Sequence, residues 1–107
     1  MAVFASTADP DSLARRVVSA VKRGSISAWE LTSGHLRHGD TRGTRSVGFF
    51  KVTVTESAVK FSLLGAKRSA SFDGAAYAYH HGRLTELLLA QFSDAITRVH
   101  VTPFPER

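Results

Sequence analysis

From Val47 to Val54 and again from Val59 to Leu64, apolar residues alternate with polar or basic ones. A period of two predicts two strands, and Thr55 to Ala58 between them is short enough for a hairpin. The side chains also predict the register. With Val54 opposite Val59, Val52 meets Phe61 and Phe50 meets Leu63 on one wholly apolar face; a slip by one residue would set Lys60 and Ser62 against that row. The other face then carries Phe49, Lys51, Thr53, Lys60, Ser62 and Leu64, which is polar and basic around two large apolar groups.

A period near 3.6 appears at both ends of the chain. Leu13, Val17, Ala20 and Val21 share a stripe within a helix expected from about Pro10 to Arg23. Asp9 caps it, Pro10 suits its first position, Lys22 and Arg23 suit its negative end, and Gly24 suits its stop. Leu84, Leu87, Leu88, Phe92 and Ala95 predict a second helix, whose start lies either near Gly82 or back at Ala75. Residues Ile26 to Leu36 read as strand through the alternation around Trp29 and Leu31, although Ser27 and Glu30 also have capping-box spacing, so a helix stays open there. Thr97 to Phe104 alternates as a last strand with Val99 and Val101 inward. Residues 1–9 and 103–107 read as loosely ordered tails.

The expected fold is therefore α+β: one domain over residues 1–107, in the order α-β-β-β-α-β. Two helices pack on one face of an antiparallel sheet of about four strands. A chain of 107 residues with 43% hydrophobic and 21% charged content suits one core. Cysteine is absent, which excludes disulfides and thiolate chemistry. No apolar run has the length of a membrane span and the N-terminus lacks the basic flank of a secretory signal, so a cytoplasmic protein with no membrane partner is expected.

Charge changes this picture most. Residues 35–71 hold seven Lys or Arg against two Asp or Glu, whereas the flanking stretches are nearly balanced. Such a concentration creates a local field that attracts phosphates or an acidic protein. Between Gly34 and Arg45 the run GHLRHGDTRGTR combines guanidinium forks with glycine-exposed backbone N–H groups, the donors that phosphate oxygens require. Gly65 to Gly74 reads as a second basic loop. The candidate polyanion contacts are Arg37, Arg42, Arg45, Lys51, Lys60, Lys67 and Arg68, with Phe49 as a stacking or packing centre.

No catalytic motif, metal-ligand spacing or cofactor fingerprint accompanies these residues. The expectation is a non-enzymatic binding module whose partner is nucleic acid or an acidic protein surface. Two rivals follow from other features. Phe49, Leu64 and an apolar last helix would suit a protein-interaction or assembly subunit, such as a phage structural component, an inhibitor of another macromolecule, or a homo-oligomer. His35, His38, His80, His81 and His100, beside Arg42, Arg45 or Lys51, would supply the acid, base and cation of a metal-independent ribonuclease.

Overall fold

A computed structural model describes residues 2–26, 28–38, 48–65 and 74–102. The first helix, α1 (Pro10–Lys22), forms where its end signals stand. The Asp9 carboxylate accepts the Ser12 N–H at 3.1 Å, which satisfies one of the donors a helix start leaves over. At the other end Gly24, at φ +74, lets its N–H reach the Val21 carbonyl and that of Ser25 the Ala20 carbonyl, the paired bonds of a Schellman stop.

Six antiparallel strands make one sheet: β1 (Ala2–Ser6), β2 (Trp29–Thr32), β3 (His35–His38), β4 (Gly48–Val54), β5 (Ala58–Gly65) and β6 (Arg98–Thr102), in the spatial order β2-β3-β4-β5-β1-β6. The second helix, α2 (Gly74–Phe92), precedes β6 and runs through Gly82, so the earlier of its two expected starts is the one formed. The β4–β5 hairpin has the register argued from its side chains, with Val54 opposite Val59, Val52 opposite Phe61 and Phe50 opposite Leu63.

The sheet differs from expectation in three ways. It has six strands rather than about four. Residues 2–6, expected as part of a loose tail, form an interior strand between β5 and β6, with Ala2, Val3 and Ala5 fully buried. The stretch from Ile26 to Leu36 holds not one strand but most of a hairpin, β2 and β3, so part of the expected basic loop is strand. In β6, Val99 packs against the core as expected, but Val101 is 44% exposed, on the strand that forms the sheet's edge. The expected tail 103–107 lies outside the described residues.

The β2–β3 turn is a two-residue loop in which Ser33 (φ 52) and Gly34 (φ 79) both take left-handed backbone. That combination matches the right-handed twist of the strands and favours asparagine before glycine, whereas serine carries a small penalty there. Ser33→Asn is therefore expected to stabilise the fold by about 0.5 kcal/mol, read as a higher urea midpoint with an unchanged slope.

Both helices pack on one face. α1 lies over β2, β4 and β5, and α2 reaches β1. The core is built from Leu13, Val17 and Val21 of α1, Leu84, Leu88 and Phe92 of α2, and Val3, Leu36, Phe50, Val59 and Phe61 of the sheet. Fully burying a side chain of this size contributes roughly 2–3 kcal/mol. One sheet face is thereby committed to the core, and the other is left to the rest of the protein's chemistry. Among the described residues no helix is long and apolar enough to cross a membrane.

Candidate functional site

Strand alternation sorts the sheet's residues onto its outer face, and the observed registers align them in rows. Thr53 pairs with Lys60, Lys60 with Phe4, and Phe4 with His100, so a single row crosses β4, β5, β1 and β6. Beside it Lys51 pairs with Ser62, Ser62 with Ala2, and Ala2 with Thr102. Phe49 pairs with Leu64, and the Leu36–Phe50 register sets Arg37 beside Phe49 and His35 beside Lys51. Arg98, opposite Ser6, ends the face at its β6 edge.

Toward its β6 edge this face carries a stack of two rings. Phe4 and His100 lie parallel within 5° at a centroid distance of 4.6 Å, and the Lys60 ammonium stands 5.8 Å from the Phe4 centroid, a cation–π position. His100 and Lys51 are exposed, while Phe4, Phe49, Lys60 and Arg37 are half-buried. Arg37 reaches across to β2 and is paired with Glu30. Four cations from four strands (Arg37, Lys51, Lys60 and Arg98) thus share a face on which Glu30 is the one strand carboxylate among the described residues. No described helix covers it.

Of the residues singled out in the sequence, Arg37, Phe49, Lys51 and Lys60 are brought together here. Arg42, Arg45, Lys67 and Arg68 lie outside the described residues. Phe4 and Arg98 were missed, and His100 was named only among the ribonuclease candidates, not as part of this face. Phe4 and His100 belong to strands that flank each other in space but stand 96 positions apart in the chain, and only the alternation of Val99 and Val101 around His100 pointed to its outward side.

The histidines divide between the two faces. His38, His80 and His81 are buried on the core side, where the Tyr79 hydroxyl lies 3.4 Å from His38 Nδ1 and His81 lies 5.9 Å from the Phe50 ring. Burial, followed by nearby positive charge that includes His80, lowers the His81 imidazole from 6.5 to about 4. His35 and His100 sit on the outer face, but β3 and β6 are four strand spacings apart, about 19 Å at the usual interstrand distance. An acid and a base so far apart cannot serve one phosphodiester, so these two do not make the acid–base pair of a ribonuclease. No three His, Asp or Glu side chains among the described residues are placed to hold a metal ion.

Comparison with known proteins returns no match from protein-family models, curated proteins or solved structures.

Proposed function

We propose that this protein is a binding module for single-stranded nucleic acid, which it takes on the outer face of its sheet. The observation that carries the reading is that Arg37, Lys51, Lys60 and Arg98 stand on the same sheet face as the Phe4–His100 stack, with Lys60 over the Phe4 ring, on the face the helices leave open. Cations alone would suit any polyanion. The exposed His100 ring among them favours one with bases, because a base stacks on its outer side while the flanking phosphates meet the lysines and arginines. An acidic protein offers the charge, but without the regular pairing of a ring with each charge that a nucleotide chain has.

The test is fluorescence anisotropy with labelled oligo(U) and oligo(dT) across a salt series. Four phosphate contacts predict that log affinity falls with log salt at a slope of about −3, and Lys51→Ala should flatten that slope by about 0.7. His100→Ala should weaken binding by about tenfold with little change in slope, since stacking is not a counterion effect. Polyglutamate that competes as well as oligo(U) would reassign the face to an acidic protein. No binding even at low salt would end the proposal.

A further inference from the structure

On the opposite side of the molecule α1 carries a second cationic feature, and its cause is helical spacing rather than net charge. Ser12, Arg15, Arg16, Ser19 and Arg23 fall at intervals of three and four, so they line one side of the helix next to its buried stripe. The end of α2, with Gln91 and Phe92, forms the facing wall. Between them lies an open cleft of about 590 Å³, within the size range of small-molecule sites.

The three arginines are not equivalent. Arg16 already has a counterion: its guanidinium meets both Asp94 oxygens at 3.3 Å and lies 5.4 Å from the Phe92 ring centroid. Arg23 is held instead by neutral oxygens, donating to Ser19 Oγ at 3.2 Å and Ser25 Oγ at 3.4 Å. Neither Arg15 nor Arg23 takes part in an ion pair among the described residues. Attraction to the helix's negative end accounts for Arg23, which caps the last turn, but not for Arg15, which stands in the middle of the helix.

We infer that this cleft binds a small phosphomonoester. A single carboxylate is satisfied by one guanidinium, as Asp94 is by Arg16. A phosphomonoester carries close to two negative charges and three terminal oxygens at neutral pH, which matches two guanidinium groups without counterions and the adjoining serine hydroxyls. The Ser19 and Ser25 bonds hold Arg23 in place before the ligand arrives, so less side-chain entropy is lost on binding. The remaining volume, along the Arg16–Phe92 wall, takes the organic part of the ligand.

This site is independent of the sheet face, and the experiment keeps the two apart. The intact protein is titrated with inorganic phosphate, adenosine monophosphate and adenosine, and binding is followed residue by residue through amide NMR shifts. Phosphate and the nucleotide should both shift amides along α1 from Ser12 to Ser25, with the nucleotide bound at roughly millimolar affinity or tighter and adenosine about tenfold weaker or undetected. The double variant Arg15→Gln, Arg23→Gln should lose about tenfold or more while keeping its thermal midpoint, and Lys51→Ala should bind as the native chain does. Three results would each overturn the inference: no shifts along α1 at 10 mM nucleotide (roughly ten times the expected constant), equal binding of adenosine, or undiminished binding by the double variant. Shifts confined to β4, β5 and β1 would do the same, because they would assign the phosphate to the sheet face.

Discussion

Val3→Asp is expected to leave the protein unfolded at neutral pH, with no cooperative urea transition by circular dichroism. Val3 is fully buried in β1, with Phe61 on one side and Val101 on the other. A carboxylate there would be cut off from water, and a buried charge held away from solvent costs several kcal/mol beyond the lost apolar contact. A domain of this size has only about 5–15 kcal/mol of stability in all. The strand's position makes the damage worse, since β1 joins β5 to β6 and its loss would detach the edge strand and uncover Phe61. The neighbouring change Phe4→Ser provides the control. Phe4 points to the outer face and is only half-buried, so its loss should cost about 1–2 kcal/mol and leave a cooperative transition. Equal sensitivity at the two positions would mean that the alternation assigned to β1, and with it the composition of the outer face, is wrong.

The sensitivity of residues 2–6 also explains why they escaped a reading of the chain alone. Ala2, Val3, Phe4 and Ala5 form a short apolar run with no alternation to give it a period, and two of the four are alanines that offer little surface. Strand identity here comes from two partners, β5 and β6, supplied by distant parts of the chain. The β4–β5 register was legible for the opposite reason: both strands alternate strongly, and only one pairing gathers their apolar residues on one side. The β2–β3 hairpin falls between these cases. Its alternation around Trp29 and Leu31 was visible, but the Ser33–Gly34 turn resembled the start of the basic loop that follows.

The same division runs through the two candidate sites. Phe49, Lys51 and Lys60 could be placed on one face because a single hairpin carries them, whereas the Phe4–His100 stack needed the order of strands in space. The arginine cleft was hidden by summing charge over long stretches. Arg15, Arg16 and Arg23 are offset in that sum by Asp9, Asp11 and Glu30, although Glu30 belongs to a different surface, where it pairs with Arg37. Charges cancel electrostatically only over distances comparable to the Debye length or less, about 10 Å at ordinary ionic strength, so proximity after folding and not proximity in sequence decides the local field.

Acid should destabilise this protein in part by protonating one buried histidine of α2. His81 faces the Phe50 ring from α2 and is buried, with a folded value of about 4 against 6.5 for the ordinary imidazole. The unfolded chain therefore takes up its proton first as the pH drops. Above 6.5 both states hold His81 neutral and its full contribution is present; between 6.5 and 4 the unfolded state binds more protons and stability falls; below 4 the loss is complete. A difference of that size corresponds to roughly 3 kcal/mol, a large share of the total for a small domain. The expected measurement is a series of urea midpoints from pH 7.5 to 4, which should decline steadily through this window at low and at moderate salt alike, because burial rather than long-range repulsion is the main cause. His81→Leu removes the titrating group and keeps an apolar side chain against Phe50, so the variant's midpoints should fall much less over the same range. A native slope that survives His81→Leu would mean that this ring is not kept neutral by the core, and the packing of α2 over β4 would have to be redrawn.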